Sequence, residues 1–324
     1  MPSAQAELGK RLFFDARLSS DARVSCASCH QPQHAFSDGR RLAVGVESRE
    51  GTRNTPSLLG VSSQRLLFWD GRRTTLESQA LDPLLNPLEH GLTDTGAILT
   101  LLNRDAGYVA QFERAFVDSK GPITLERISA ALAAFQRTLD DGESPFDRYL
   151  SGDAHAITPQ ALHGWQIFSG RAQCTRCHVA EGGKALLTDH GFHALGVGLR
   201  DVQRKLPQLA MRLTAAREAG NTPGHELLAD ADIAALGRFV VTLDPADIGK
   251  FKTPSLRNVA LTAPYMHDGS VATLAEAVDI ELYYRSIEST RPVILTPAEK
   301  SDLLVFLESL SGSNARQHQS GGRE

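Results

Sequence analysis

Apolar residues recur at three- and four-residue spacing in several stretches of the chain, and this spacing predicts amphipathic helices. Residues 124–139 show it most clearly, with Ile128, Leu132 and Phe135 on one face. The predicted helices are residues 7–15, residues 124–139, a helix that begins at Pro159, residues 274–285 and residues 297–310. No stretch alternates apolar and polar residues as a half-buried strand does. The pattern therefore predicts an all-α fold with long loops.

Composition and charge narrow the class of protein. The chain has 324 residues, of which 41% are hydrophobic, and its formal net charge is −4. This length suggests two domains of about 150 residues each. A slightly acidic chain is not expected to bind nucleic acid or an anionic membrane as its main partner. No apolar run is long enough to span a membrane, and the polar, glycine-rich residues 311–324 are predicted to be disordered.

The motif Cys-x-x-Cys-His occurs twice and uses every cysteine of the chain. The two copies are Cys26, Cys29 and His30, and Cys174, Cys177 and His178. This is the attachment signature of c-type haem. Each thiol can bond to one haem vinyl group, and the adjacent histidine then becomes the proximal ligand of the iron. The sequence therefore predicts two covalently bound c-type haems.

A redox dithiol and a zinc site are the alternative uses of such cysteine pairs. A redox dithiol normally lies in a thioredoxin-like βαβ pattern, which this chain does not show. A zinc site that joins the two distant pairs gives no role to the histidine that follows each of them. Haem attachment explains the cysteines and the histidines together, so it is the preferred interpretation.

Each half of the chain has the same order of features: a helix, Cys-x-x-Cys-His, a long polar loop and a further helix. This order predicts two cytochrome c-like domains, residues 1–150 and 151–324, each with one haem. Residues 144–153, Ser-Pro-Phe-Asp-Arg-Tyr-Leu-Ser-Gly-Asp, are predicted to connect them. Covalent haem attachment in bacteria takes place outside the cytoplasm, so we expect a periplasmic protein. No signal peptide is visible at the start, Met-Pro-Ser-Ala-Gln, and the leader is expected to have been removed.

The ligand opposite the proximal histidine decides whether a haem transfers electrons or reacts with peroxide. Besides the terminal Met1, only Met211 and Met266 offer a thioether for an electron-transfer haem. A filled sixth position favours electron transfer, whereas an open position can bind peroxide.

A peroxide site also needs polar side chains, and residues 67–89 contain Trp69, Gln79 and Glu89. A carboxylate or amide above an open iron can take a proton from H2O2 and return it to the leaving oxygen. Taken alone, these residues are better explained by core packing of the tryptophan and by a solvated loop.

Four further segments carry a family resemblance. They are Arg53-Asn-Thr-Pro56, Phe68-Trp-Asp-Gly-Arg72, Asn86-Pro-Leu-Glu89 and Lys252-Thr-Pro-Ser-Leu-Arg-Asn-Val-Ala-Leu-Thr-Ala-Pro-Tyr-Met-His-Asp-Gly269. In this order, and with both haem motifs, the chain resembles the bacterial dihaem cytochrome c peroxidase and MauG superfamily from about residue 7 to residue 310. The pattern is most similar to that of MauG-like and MbnH-like dihaem enzymes.

The resemblance implies a role for each matching residue. The haem at His30 would be the high-spin peroxidatic haem, with Gln79 and Glu89 as its distal polar residues. Trp69 would lie between the haems and relay oxidising equivalents. The haem at His178 would be six-coordinate and would store or transfer electrons.

The resemblance also implies a calcium ion between the two domains. Its protein ligands would be Asn54 and the backbone carbonyls of Thr262 and Pro264. Oxygen ligands together with water suit this hard cation.

The first haem departs from the cytochrome c peroxidase pattern at one position. Val46 stands where these enzymes usually carry a removable distal histidine, which implies a permanently open iron. His34, closer to the haem motif, is an alternative donor.

The second haem departs from the pattern because its usual methionine is absent from the helix after His-Asp-Gly. Counting forward from His267 reaches Glu281, whereas aligning back from Arg291 with an insertion reaches Tyr284. These two residues lie one helical turn apart, and both supply an anionic oxygen. The choice between them stays open, with Tyr283 as a third candidate.

A further departure concerns the partner. MauG passes oxidising equivalents through a surface tryptophan just before its second haem motif, and the matching position here is Ala172. Trp165 offers another exit, although a core position in the helix before the motif is the better interpretation of it.

These features lead to three hypotheses. The first is a periplasmic enzyme that reacts with H2O2, forms a high-valent bis-Fe(IV)-like state and oxidises a partner protein at a tryptophan. The second is a cytochrome c peroxidase that reduces H2O2 to water with electrons from a small cytochrome or cupredoxin. The third is a dihaem electron carrier without catalysis. The missing loop histidine and helix methionine favour the first.

Overall fold

The computed structural model describes residues 3–118, 121–180, 183–219, 228–288 and 292–320. Its helices of eight or more residues are Ala4–Phe13, Leu76–Leu85, Gly96–Arg104, Ala106–Ala115, Leu125–Gln136, Pro159–Ser169, Leu206–Glu218, Leu274–Glu288, Pro297–Glu308 and Ser313–Ser320. Shorter α-helices are Cys26–Cys29, Pro145–Leu150, Leu199–Val202, Ala231–Ala234 and Phe239–Thr242. No helix in the described residues is long and apolar enough to cross a membrane.

The helix-rich prediction is confirmed, with one small exception. The strands Phe192–His193 and Phe251–Lys252 pair in an antiparallel ladder. Two-residue strands are too short to leave an alternating pattern in the sequence, so the prediction did not include them.

All five predicted helices form, and their ends are set by caps. The first begins at Ala4 because the Ser3 side chain accepts a hydrogen bond from the Ala6 amide. Thr124 caps the helix Leu125–Gln136 in the same way. The helix Leu274–Glu288 runs beyond the predicted end at residue 285.

The interdomain connection predicted at residues 144–153 stays a prediction, and the segment includes a short helix. Ser144 and Asp147 form a reciprocal capping box that begins the helix Pro145–Leu150. Phe146 of this helix is 1% exposed and packs in the hydrophobic core of the second half. The predicted connection is therefore partly a packed helix.

The prediction that residues 311–324 are disordered is wrong for most of this segment. Residues Ser313–Ser320 form a helix, and Ala315 is fully buried in the core of the first half. The His318 ring meets Phe36 edge-on at 5.4 Å between centroids. The amides of Ser313 and Asn314 also donate to the backbone oxygens of Glu143 and Asp141, and composition does not reveal such long-range contacts. Residues 321–324 lie outside the described part of the chain.

Within the described part of the chain, three hydrophobic clusters form the core. The first cluster gathers the helices Ala4–Phe13 and Leu125–Gln136 with their neighbours, and the second includes Phe146, Phe168 and Phe306. The third cluster is Val202, Leu209, Leu213, Leu228, Ile233, Leu236, Phe239 and Val240. It lies in sequence between the second haem motif and the strand Phe251–Lys252. The division into domains at residue 150 stays a prediction.

In both halves a glycine lets the helix before the haem motif cross a later helix closely. A Cβ on Gly9 would lie 1.8 Å from the backbone oxygen of Ala131, and one on Gly164 would lie 2.0 Å from that of Asp302. Such distances leave no room for a side chain. Each half therefore contains one pair of closely packed, crossing helices, and the two halves share this arrangement.

Gly164→Ala is expected to destabilise the protein. Alanine favours a helix over glycine by about 1 kcal/mol, but overpacking against Asp302 costs about 1–3 kcal/mol, and occasionally more. We expect a lower melting temperature in a thermal scan followed by circular dichroism. Gly183→Ala is the control, because the atom nearest to a Cβ at this position would be the Ser151 hydroxyl oxygen, at 3.7 Å. Equal melting temperatures for the two variants would contradict the close crossing.

Candidate active site

The first haem motif forms a short helix, Cys26–Cys29, followed by His30. The Nδ1 atom of His30 lies 2.9 Å from the backbone oxygen of Phe36. Because a carbonyl only accepts, Nδ1 donates the hydrogen bond and Nε2 is left as a neutral donor atom for a metal. Burial lowers the pKa of His30 below its usual value, which also favours the neutral ring.

The second haem motif repeats this arrangement. It begins with a 3-10 turn, Cys174–Arg176, and Nδ1 of His178 donates to the backbone oxygen of Leu187 at 2.9 Å. Burial lowers the pKa of His178 to about 4. Both histidines are therefore oriented and kept neutral as iron ligands require.

The cysteines do not fit the two alternative uses. No disulfide joins the four cysteines, and burial raises the pKa of Cys26 and of Cys174 to about 12, which disfavours a reactive thiolate. Among the described residues, the one group of three possible metal ligands is Cys177, Asp189 and His193. It includes no cysteine of the first motif, so the geometry gives no support to a zinc site that joins both pairs. Neutral thiols beside neutral histidines fit covalent haem.

One cavity of about 450 Å³ extends between the two motifs, and we call it the central cavity. It brings together residues from distant parts of the chain. Among the sequence-predicted residues, those that line it are Cys29, His30, Asn54, Trp69, Gln79, Glu89, Cys174, Cys177, His178, Thr262, Pro264 and Glu281. Cys26 lines a smaller recess that shares His30, Gln79 and Glu89 with it.

Glu89 and Gln79 lie beside the first motif. Gln79 belongs to the helix Leu76–Leu85, and Glu89 follows the turn at its end. The Asn86 amide donates to Glu89 Oε1 at 2.5 Å. Burial raises the pKa of Glu89, although the positive charge of Arg72 partly opposes this. A carboxyl group with a raised pKa is suited to taking up and releasing a proton.

Trp69 is held at a fixed position on the cavity wall. Its indole N–H donates to the backbone oxygen of Asn54 at 2.9 Å, and its own backbone oxygen accepts from the Lys252 amide at 2.8 Å. Trp69 is only partly buried by protein atoms, because it faces a cavity that the two haem motifs share. Trp69 thus lies on the wall of the cavity that both haem motifs line, and its role as a relay stays a prediction.

The three residues implied as calcium ligands lie at the same cavity. The Asn54 side-chain amide donates to the backbone oxygen of Arg40 at 2.9 Å. The Asn54 Oδ1 atom and the backbone oxygens of Thr262 and Pro264 accept no hydrogen bond from the described residues. Oxygens without donors are suited to a hard cation, and the calcium site stays a prediction.

Neither Val46, which stands at the position of the usual distal histidine, nor the alternative donor His34 lines the central cavity. Val46 is buried, and its amide donates to the backbone oxygen of Glu89 at 2.9 Å. His34 is exposed beside Gly39. His34 is therefore poorly placed to reach the first iron, and the loop at Val46 instead supports the backbone of Glu89.

Sequence reasoning missed two polar residues of the recess at the first motif. His90 is buried and its Nδ1 lies 2.9 Å from the backbone oxygen of Leu18, while burial lowers the pKa of the ring. Gln136 is also buried, and its Oε1 has no partner in the described residues. Both line the recess with His30. His90 directly follows Glu89, which was the available signal for it.

The three residues predicted as candidates for a sixth ligand at the second haem motif lie in different environments. Glu281 lines the central cavity, and its charge, after burial, is the second cause that raises the pKa of Cys174. The Tyr284 hydroxyl instead lies near Gly196, 2.7 Å from where a Cβ on that glycine would be. Tyr283 is 56% exposed. Glu281 is therefore the best-placed oxygen donor.

The two internal methionines, which are the possible thioether ligands of iron, lie in different environments. Met211 is 72% exposed, so it is unsuited to an iron ligand, whereas Met266 lines the central cavity. Arg291, from which the alignment to Tyr284 was counted, lies outside the described residues.

The position that matches a surface tryptophan in MauG is interior here, because Ala172 is fully buried. Trp165 packs in the second cluster, with its ring centroid 4.9 Å from that of Phe146 and 5.8 Å from that of Phe168. The interpretation of Trp165 as a core residue agrees with these contacts. Phe168 in turn lies 6.5 Å from the His178 ring.

Comparison with known proteins places this geometry in a family. The family model for di-haem cytochrome c peroxidase matches residues 3–155. A methylamine utilization protein MauG from Methylophilus methylotrophus is 35% identical over 95% of this chain and 82% of the relative. A cytochrome-c peroxidase IdrP2 from Denitromonas iodatirespirans is 36% identical over 96% of this chain and 84% of the relative.

Solved structures agree with these relatives. A MauG-like protein associated with microbial copper homeostasis has a TM-score of 0.75 and 34% identity, over 97% of this chain and 91% of that chain. The diheme peroxidase BthA from Burkholderia thailandensis E264 has a TM-score of 0.69 and 27% identity, over 96% of this chain and 86% of that chain. The relatives are oxidoreductases, and both haem motifs are present here with oriented histidines. The chain therefore belongs to the di-haem cytochrome c peroxidase and MauG family of enzymes.

Proposed function

We propose that the protein uses H2O2 to oxidise a partner protein, at a tryptophan residue, by long-range electron transfer. The observation that carries the proposal is the placement of Glu89 and Gln79 at the same cavity as His30, in a chain of the dihaem peroxidase family. His30 and His178 would each hold one haem iron. The haems, when bound, supply the redox chemistry with peroxide and the storage of oxidising equivalents.

The side chains of the cavity have separate tasks in this proposal. Glu89 in its ionised form takes a proton from H2O2, and in its protonated form returns a proton to the leaving oxygen. The Gln79 amide orients the bound peroxide by hydrogen bonding. Trp69, held by Asn54 on the wall that both motifs share, relays oxidising equivalents between the two sites. Glu281 would supply an anionic oxygen at the second haem site, and such a ligand would stabilise oxidised iron.

The resting ferric protein tests this proposal by electron paramagnetic resonance. We expect one high-spin and one low-spin haem, and a reaction with H2O2 that needs no prior reduction. Two low-spin haems and a requirement for prior reduction would contradict the proposal. In that case His90, which lines the recess at the first motif, would be the next residue to test as a ligand of the first iron.

Reduction of H2O2 to water with electrons from a small cytochrome or cupredoxin is the second candidate function. The family model and the relative from Denitromonas iodatirespirans both carry the name of cytochrome c peroxidases. Steady-state turnover with a reduced small cytochrome, at a rate that matches peroxide consumption, would favour this function. A dihaem carrier without catalysis is set aside, because the chain belongs to a family of enzymes.

In this proposal the protein lies in the periplasm, where covalent haem attachment occurs and where its protein substrate or electron donor would also be found.

The proposed protein also binds a calcium ion, held by Asn54, Thr262 and Pro264. Elemental analysis should then find calcium, and its removal by a chelator should lower the melting temperature. At a free calcium concentration of 100 times Kd the bound ion stabilises by about 2.7 kcal/mol. A melting temperature that does not respond to the chelator or to added calcium would exclude it.

A further inference from the structure

Lys252 is a cation of the central cavity that the proposed chemistry does not use. It lies on the strand Phe251–Lys252 and lines the cavity. Its amide donates to the backbone oxygen of Trp69 at 2.8 Å, and Phe192 is its cross-strand partner. The backbone of Lys252 is thus fixed from both sides, next to the tryptophan between the two motifs.

The Lys252 ammonium has no counter-ion in the described residues. Its one hydrogen-bond partner there is Oε1 of Gln64, at 3.3 Å. No carboxylate oxygen of the described residues lies within 4.0 Å of the Lys252 Nζ atom. Burial lowers the pKa of this ammonium to about 8. A buried charge is destabilising unless an opposite charge and hydrogen bonds compensate its lost hydration. The chain itself supplies no such charge at this position.

Arg53 adds a second positive charge to the same cavity. Its Nε and Nη1 atoms are buried without a partner in the described residues, and its guanidinium lies 4.8 Å from the centroid of the Phe251 ring. Asp70 and Asp268 act on it electrostatically, but neither forms an ion pair with it. The cavity wall therefore carries positive charge that nearby carboxylates do not pair.

We propose that Lys252 binds a propionate carboxylate of a haem held in the central cavity, with Arg53 adding to the positive field. This assignment rests on the proposed dihaem function. Haem c carries two propionates, which are the anions that would accompany covalent attachment at the cysteines. An ammonium–carboxylate hydrogen bond is charge-assisted and stronger than a neutral one. Lys252 is then a positioning residue that also tunes the reduction potential of the haem it contacts.

Lys252→Met in the holoprotein tests the assignment, with Lys250→Met as the matched control. Lys250 is two positions away along the same backbone, but its ammonium already pairs with Asp247 at 3.3 Å. The first readout is the set of propionate bending bands in the resonance Raman spectrum, which report hydrogen bonding to the carboxylates. The second is the midpoint potential of each haem. Lys252→Arg keeps the charge and serves as the rescue variant.

We expect Lys252→Met to shift at least one propionate band while both haems stay attached. The loss of a positive charge should also lower one midpoint potential, by about a tenfold change in the reduction equilibrium, or about 59 mV for one electron. Lys250→Met should change neither readout, and Lys252→Arg should largely restore both. Unchanged Raman bands in Lys252→Met with two attached haems would overturn the assignment. A wild-type protein without attached haem would instead overturn the proposed function.

Discussion

Glu89→Gln is expected to slow the reaction with H2O2 by about 10²–10⁴-fold, the usual contribution of a positioned acid–base group. The reason is that Gln keeps the size and one acceptor of Glu89 but cannot take the proton from peroxide. The carboxyl of the wild-type protein faces the same cavity as His30 and accepts from the Asn86 amide. Stopped-flow absorbance of the haem bands after mixing with H2O2 measures the rate.

Glu47→Gln is the matched control for this substitution. Glu47 lies in the loop beside Val46, and its side chain is 61% exposed, so the same chemical change there leaves the cavity intact. We expect its rate to equal that of the wild type. A Glu89→Gln rate within about twofold of the wild type would show that another group moves the proton, and His90 would be the next to replace.

The pH dependence of this rate follows from the same carboxyl group. Burial raises the pKa of Glu89 above its usual value. The ionised form is the proton acceptor, so the rate should fall as the pH decreases through this raised pKa. The fall should therefore occur at a higher pH than for an ordinary glutamate. Glu89→Gln should lose this limb of the profile together with most of the rate.

The haem motifs could be predicted from the sequence because their chemistry is local. Two cysteines and a histidine within five residues already define a haem-binding unit, and the structure orients both histidines through a neighbouring carbonyl. The helix 125–136 was also predictable, since one apolar face packs against the helix 4–13. Family resemblance then directed attention to Glu89, Gln79 and Trp69, which composition and periodicity alone would leave as loop and core.

Other parts of the molecule depend on contacts that the sequence does not display. The helix Ser313–Ser320 packs through Ala315 against the core of the first half, and its His318 ring meets Phe36, which are contacts between distant positions. The third cluster is built from the helix Leu206–Glu218 and shorter helices in residues 199–219 and 228–248, where charged residues interrupt the apolar spacing. The partners of Lys252 likewise depend on how the strand Phe251–Lys252 meets Trp69. Such features follow from tertiary packing, which overrides local propensity.

Glu281→Ala is expected to convert the second haem from low spin to high spin, because it removes the proposed sixth ligand. Counting along the sequence left Glu281 and Tyr284 equally placed, one helical turn apart. In the structure only Glu281 of these two lines the central cavity, whereas the Tyr284 hydroxyl lies near Gly196. Glu281→Met should instead keep a low-spin haem and raise its midpoint potential by on the order of 10² mV, since thioether ligation favours the ferrous state.

Tyr284→Phe is the matched control, because it removes the competing oxygen from the same helix and keeps the ring. We expect its electron paramagnetic resonance spectrum and midpoint potentials to equal those of the wild type. If Tyr284→Phe produced the high-spin signal and Glu281→Ala did not, the helix would have to be shifted by about one turn, so that Tyr284 and not Glu281 faces the second iron. The sixth ligand would then be the tyrosinate, and Glu281 would act on that haem only through its charge near Cys174.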